Sequence, residues 1–519
     1  MRDPSLESGG GVRHVDRGLL YATVSFTGAS VMILELLGTR VIGPFYGASL
    51  YVWTSLISVA MIALAIGYGV GGFLADRVPR FRIAHAIALS ALLVALIPPA
   101  TTPILEATNA LGLRGGAFTS ALLLFLLPLI FLGMVGPLVI QRSTESLETV
   151  GIASGAVYAI STCGSVAGTL LFGFFLLPVV GSRTILYGLS AALFSVAIVL
   201  VVLDRRRGRK NSPHPFVFAG LLGLFATGFL GSRSGPPLQR VLYESESLYG
   251  RVRVIDDEEH SIRWLLSDSS TIGAKRIPSG HPIFAYLRVL RAVPDLRPEG
   301  TDALLIGLGG GFLSSDLERR GIVTDCIEID PAVARAARKY FRFEPTGRLI
   351  VGDGRYEVRR LDRKYDFIFH DCFTGGSVPA HMLSLEMMEE LRSLLREGGI
   401  LALNFYGFAR AENARAASSV AKTIAAVFPQ VQVVTSIRGC ELCDVIFLAS
   451  DAPFDLASVG SAGDGYPPGW LADHAVDLSE GGGFVITDDF NPLENMQTKK
   501  AEAYRATLVE RVGLEMLGT

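Results

Sequence analysis

Charge is what this chain has least of for its length. Asp, Glu, Lys and Arg make up 18% of its 519 residues while hydrophobic types make up 50%; an average soluble protein carries about 25% charged residues. The deficit is uneven. Up to Gly235 there are 16 Lys and Arg against 9 Asp and Glu, and beyond it 31 against 40, so a basic apolar half is joined to an acidic half of ordinary composition. Neither half has the dense basic face of a nucleic-acid binder, which excludes nucleic acid as a partner. Cysteine is also scarce: 5 scattered residues exclude a disulfide framework. Cys440 and Cys443 form one CxxC without a second pair or a nearby histidine, so no metal site is expected. Ordinary thiols are the expectation there, with a disulfide if the region faces an oxidising compartment.

What the first half does have is long apolar runs. They fall at residues 19–37, 50–74, 83–100, 118–140, 152–180, 185–203 and 216–231, and most reach the roughly 20 residues a helix needs to cross a bilayer. Residues 1–18 lack a cleavable signal pattern and read as a loose cytoplasmic tail. Residues 19–235 therefore read as a multi-pass bundle of six or seven helices with the lipid bilayer as partner and the cell membrane as location. Gly155, Gly164 and Gly168 recur at helix-packing spacing in the fifth run. Glu35 and Arg40 are costly inside such a segment, which implies an ion pair or a substrate contact. Arginines cluster in the tail, at Arg77, Arg80 and Arg82, and in 205–210, which marks these as cytoplasmic. Seven full crossings would then place the second half outside the cell. The last run is short and preceded by Pro213 and Pro215, so six crossings and a cytoplasmic second half are expected.

The second half is organised around residues 304–312, LLIGLGGGF. An apolar run, a turn with Gly307, Gly309, Gly310 and Gly311, a helical stretch and a second run ending in Glu328 make a nucleotide-binding β-α-β unit. The glycines let backbone approach a ligand, and Glu328, in the IEID that ends at Asp330, can hold ribose hydroxyls. NAD, FAD or S-adenosylmethionine would all fit. Asp353-Gly354 after a third strand adds a second acid suited to an adenine amino group, which favours an adenosyl-sulfonium donor. YDFIFHD, at 365–371, ends a fourth strand in Asp371, the candidate for holding or deprotonating an amine. His370 should point into the sheet, whereas His381 follows a glycine-rich loop and faces the pocket or caps the next helix. Residues 236–300 read as a small three-stranded β-sheet (239–244, 250–255, 261–266) and a linking helix. Residues 301–519 read as an α/β Rossmann-like domain with seven strands.

These motifs resemble the spermidine synthase family of aminopropyltransferases, through LYGRV at 248–252, the glycine turn, EID at 328–330, GDG at 352–354 and the strand ending in Asp371. The resemblance implies that Glu328 binds ribose, Asp353 binds near adenine and Asp371 acts on the attacking amine. Three departures accompany it. Gly310 stands where the family carries the acid that holds the donor's aminopropyl amine, Thr374 where it carries the second acid of D-S-S-D-P, and Gly250 where it carries a Gln. Asp76 and Arg77 look like the cytoplasmic turn of major-facilitator transporters, where such residues brace neighbouring helices. The whole chain resembles the branch in which a major-facilitator-like segment is fused to a spermidine synthase-like domain. Its loop motif is followed by Asp371, Phe373, Gly375, Ser377, Pro379 and His381, and its T-D-D-x-x-P motif by Thr487, Asp488, Asp489 and Pro492.

The resemblance implies aminopropyl transfer from decarboxylated S-adenosylmethionine to an amine. Methyl transfer from S-adenosylmethionine, or a transporter with a sensing domain, are the alternatives. Six helices are half a major-facilitator transporter, so transport would require a homodimer. An amine that arrives through the bundle, or an amphiphilic acceptor, would explain the apolar half, with the acidic segment 487–494 approaching it.

Overall fold

The computed structural model describes residues 8–47, 50–78, 80–144, 147–177, 180–206, 240–268, 270–372, 379–460 and 467–512. They divide into two compact units at Pro236 and Pro237. The apolar run at 216–231 and the loop at 373–378 lie outside the described residues.

Among the described residues of the first unit, five helical stretches are long and apolar enough to cross a membrane: Arg17–Tyr46, Leu50–Arg77, Ile83–Ser143, Val150–Leu176 and Ser182–Arg206. The first helix begins at Ser8, so the part of the tail from Ser8 onward is helical rather than loose. The third stretch is 61 residues long, about three times what one crossing needs, and it is a hairpin. Ile83–Thr108 turns through Asn109–Leu111, where Gly112 takes φ 72°, and returns as Gly112–Gly133. Ser90 Oγ donates to the Pro128 carbonyl at 3.0 Å, and the Thr108 and Ser120 hydroxyls meet at 2.7 Å. The expected small-residue seam is present in part. A Cβ on Gly164 or Gly168 would collide with Ser25 or Ala29 of the first helix, whereas Gly155 has open space. An ionic brace between helices is made by Arg82 and Arg142, each 3.1 Å from the buried Asp204.

The second unit opens with a four-stranded antiparallel meander, β1 (Arg240–Glu246), β2 (Arg251–Asp257), β3 (Ile262–Ser267) and β4 (Ser270–Arg276). The fourth strand was not expected from the sequence, because Gly273 and the run Lys275-Arg276 hide its period of two. Lys275 is nevertheless buried, donating to the Tyr340 carbonyl at 2.9 Å.

A seven-stranded sheet follows: β5 (Asp302–Ile306), β6 (Val323–Glu328), β7 (Leu349–Val351), β8 (Tyr365–His370), β9 (Leu395–Phe408), β10 (Gln430–Thr435) and β11 (Leu442–Ser450), in the order β10-β11-β9-β8-β5-β6-β7. The first five are parallel, and β10 and β11 close one edge antiparallel. Alternation along β5 explains why such strands read as unbroken apolar runs. Leu304 and Ile306 pack with Met387, Met388 and Leu391 on one face, and Ala303 and Leu305 with Leu287, Leu313 and Leu317 on the other. With both faces covered, polar groups for a ligand are left at the carboxyl edge of the strands.

Candidate active site

Strand β5 runs into Gly307, which takes φ 92° and has the Asp371 carbonyl where a Cβ would sit. Only glycine fits both conditions. Gly309 and Gly311 also take positive φ, and the latter leads directly into the helix Phe312–Arg319. The turn is tight because strand β4 presses on it: a Cβ on Gly273 would lie 3.2 Å from the Gly310 nitrogen.

Glu328, at the tip of β6, is buried beside this turn. Its Oε2 accepts from Leu308 N at 3.0 Å and its Oε1 from Asp330 N at 2.9 Å. Burial outweighs these bonds and pushes its carboxyl up to about 7. Each oxygen retains lone-pair capacity for a ligand hydroxyl. Asp330, expected in the same ligand set, has a different job: Oδ1 caps the helix Pro331–Phe341 through Ala332 N at 2.7 Å, and Oδ2 accepts from Ser247 Oγ at 2.7 Å. It ties the meander to the sheet.

Asp353 caps the short helix Gly354–Val358 with Oδ1, accepting from Tyr356 N at 2.9 Å, while Oδ2 stands 3.8 Å from His381 Nε2. His381 thus sits at the Asp353 end of the site. Between them lies a residue that motif reading passed over. Arg355 is buried, donates from Nη1 to the His381 carbonyl at 3.2 Å and grips both oxygens of Asp488 at 2.7 Å. The segment expected to approach the bundle is therefore anchored, at Asp488, to the nucleotide unit. Its signal was available, since an arginine directly after Asp353-Gly354 and an acid pair in T-D-D both demand partners once buried.

Asp371 follows β8, its backbone N–H donating to the Ile306 carbonyl at 2.8 Å. Asn404 Nδ2 donates to its Oδ1 at 2.9 Å, and the Tyr286 hydroxyl also bonds it. Burial raises its carboxyl above the usual range in spite of these donors. A second acid, Asp444 on β11, faces the same amide. Burial first, and then the charge of Asp371, push it up to about 7. Neither Asn404 nor Asp444 was singled out from the sequence, although a polar residue inside ILALNFY and an acid opening DVIFLAS are the interruptions that mark strand ends at a site. His370 is fully buried, and burial pushes its imidazole down to about 4, so it stays neutral at physiological pH. Cys440, in the β10–β11 connection, and Cys443, on β11, expected as free thiols, are joined as a disulfide.

A family model described as spermine/spermidine synthase domain matches residues 284–438. A polyamine aminopropyltransferase from Vibrio vulnificus (strain CMCP6) is 31% identical over 209 residues, covering 38% of this chain and 67% of the relative. Through its C-terminal region, the chain belongs to the spermine/spermidine synthase family. That region is a spermidine synthase-like aminopropyltransferase domain, and the protein is a transferase by family. A methyltransferase also matches: an N-terminal histidine N-methyltransferase from Emericella nidulans is 28% identical over 393 residues, 66% of this chain and 67% of the relative. Among solved structures, a spermidine synthase from Thermotoga maritima aligns over 47% of this chain at 20% identity and a TM-score of 0.38.

Proposed function

We propose that this spermidine synthase-like domain moves a methyl group from S-adenosylmethionine to a nitrogen acceptor. The observation that carries the reading is Gly310. An acid at this turn suits a donor whose tail ends in an amine alone, and it repels the carboxylate of an intact methionine tail. With glycine, that carboxylate meets backbone N–H groups at the start of the helix Phe312–Arg319, a favourable place for an anion. For the decarboxylated donor the same change removes a charge-assisted contact of ~1.5–3 kcal/mol, or roughly tenfold to a hundredfold in affinity. The long match to an N-methyltransferase supports the same choice.

Glu328 then holds the ribose hydroxyls and the free oxygen of Asp353 receives the adenine amino group, with His381 beside it. Asp371, fixed by Asn404 and Tyr286, lies where the acceptor nitrogen must enter. The nitrogen lone pair attacks the methyl carbon, the carbon–sulfur bond breaks, and its electron pair returns to sulfur.

Aminopropyl transfer is the second reading, favoured by the 31% identity to a polyamine aminopropyltransferase. Supplying the detergent-solubilised protein with each donor and an amine decides between them. S-adenosylhomocysteine should accumulate from S-adenosylmethionine; S-methylthioadenosine from the decarboxylated donor alone would refute methyl transfer.

The first unit is read as spanning a lipid bilayer, because its outward side chains include Met61, Ile152 and Phe174, which water solvates poorly. Counting the hairpin as two passes, six described crossings put Arg77, Arg82, Arg142 and Arg206 at one end, which the charge rule makes cytoplasmic. The transferase domain is placed on that side as well, where its donor is made.

A further inference from the structure

At the arginine-rich end of the first unit, a cavity of about 280 Å³ is lined by Asp76, Arg82, Gln141 and Arg142, with Phe81 and Leu138 as its apolar part. We propose that this cavity binds the headgroup of an ethanolamine phospholipid, with the phosphate on Arg82 and Arg142 and the ammonium on Asp76. The inference rests on the bundle spanning a bilayer, as read above, and adds the lipid that the bundle selects.

The helices bring these groups together. Asp76 is in the last turn of Leu50–Arg77, Arg82 is the residue before Ile83–Thr108, and Arg142 is in the last turn of Val135–Ser143. Gln141 Nε2 ties the third of these helices to the first by donating to the Ala75 carbonyl. Arg82 Nη1 and Arg142 Nη2 both donate to one oxygen, Oδ2 of Asp204, at 3.1 Å. A guanidinium has five N–H donors, and neither of these has another carboxylate partner among the described residues. One carboxylate shared by two cations leaves a positive charge over. A phosphate diester carries one negative charge and two unbridged oxygens, which suit a pair of planar guanidinium forks.

Asp76 decides the rest of the headgroup. It is exposed and makes no ion pair with a described residue, so beside a bound phosphate it requires a cation. The charges of Asp76, Arg82, Arg142 and Asp204 sum to zero, as do those of a phosphoethanolamine headgroup. A glycerol headgroup would set a phosphate against Asp76 with no cation between them, and a choline has no N–H to donate. The same helix argues for a lipid over a soluble phosphate. Ile66, Val70 and Phe73 lead up to Asp76 at helical spacing and are all exposed, which gives an acyl chain an apolar stripe that ends at the cavity. A basic pocket between helices at the cytoplasmic surface is a general setting for lipid headgroups.

The test is native mass spectrometry of the full-length, detergent-solubilised protein with dioleoyl phosphatidylethanolamine, phosphatidylcholine or phosphatidylglycerol at equal concentrations. The ethanolamine lipid should be retained about tenfold better than either other, the equivalent of one charge-assisted hydrogen bond. D76N should abolish that preference without lowering the melting temperature, because Asp76 takes no part in the Asp204 brace. R142Q should weaken all three lipids; should it fail to fold, D76N decides alone. Equal retention of the three lipids by wild type, or an ethanolamine preference that survives in D76N, would overturn the proposal. Inorganic phosphate or glycerophosphoethanolamine at the lipid's own concentration should not displace it, and displacement by either would assign the cavity to a soluble phosphate and overturn the lipid. Alkaline carbonate extraction of membranes separates the two readings: release of the chain refutes the spanning bundle, whereas a retained chain without ethanolamine preference refutes the lipid site alone.

Discussion

The Arg355–Asp488 pair joins the nucleotide unit to a segment more than 130 residues away in sequence, so cutting it should be felt at the donor site. In D488N the guanidinium keeps Glu390, 3.5 Å from Nη2, and the His381 carbonyl at 3.2 Å, but loses its bidentate partner. Removing one member of a fully buried pair costs about 3–5 kcal/mol. Here the Asp488 side chain is 39% exposed and screened by water, so roughly 1.5–3 kcal/mol is expected. Two readouts follow. Thermal unfolding of the second unit should begin roughly 3–8 °C lower, and S-adenosylhomocysteine should bind about tenfold more weakly, because Arg355 lies in the helix that Asp353 caps and holds the His381 carbonyl. The Arg355 guanidinium holds Asp488 down to about 2, below its ordinary 3.8. Its contribution is therefore full above about pH 4 and is lost as pH falls toward 2, so wild type and D488N should converge in acid. Unchanged melting and unchanged affinity in D488N at pH 7 would show that the pair is a surface contact without influence on the site.

The donor pocket carries its own pH signature. Glu328 holds its proton up to about 7 when the pocket is empty, and ribose hydroxyls bond best to its charged form, so binding should release a proton and tighten as pH rises from 6 to 8. E328Q should bind more weakly and lose that slope; a slope that survives in E328Q would assign it elsewhere. The same raised value means that Glu328 works against folding as pH climbs from 4.5 toward 7, where the unfolded chain gives up the proton first. D353N should weaken S-adenosylhomocysteine without changing the slope, and equal affinity in D353N and wild type would remove Asp353 from the pocket. For topology, a fluorescent protein fused after Thr519 should glow, and a periplasmic-type phosphatase fused there should be inactive. A dark fusion with an active phosphatase would mean that 216–231 crosses and that the domain lies on the far side of the membrane.

The nucleotide unit was legible because its signals are local. Each acid at a strand tip follows an apolar run, and the glycine cluster after β5 marks the turn, even though what makes Gly307 obligatory is the distant Asp371 carbonyl. The seven strands were legible for the same reason, since β5, β8 and β11 are apolar on both faces and admit no helical period. What escaped was everything whose partner is distant. Lys275 looks like a surface residue until Tyr340 and Phe341 cover it, so β4 went unseen. Asp330 sits in a ligand motif, yet a serine 83 positions earlier takes its second oxygen. Arg355 and Asp488 read as unrelated charges, and only folding makes them one clamp.

Asn404 and Asp444 bear most on function, because they alter what the departures from the family motifs mean. Gly310 and Thr374, taken alone, suggest a site that has lost its grip on amines. Asp444 nevertheless brings a second carboxylate close to Asp371 from a different strand. On the reading proposed above, such a site keeps its nitrogen acceptor and changes its donor. That combination is expected of an aminopropyltransferase scaffold turned to methyl transfer.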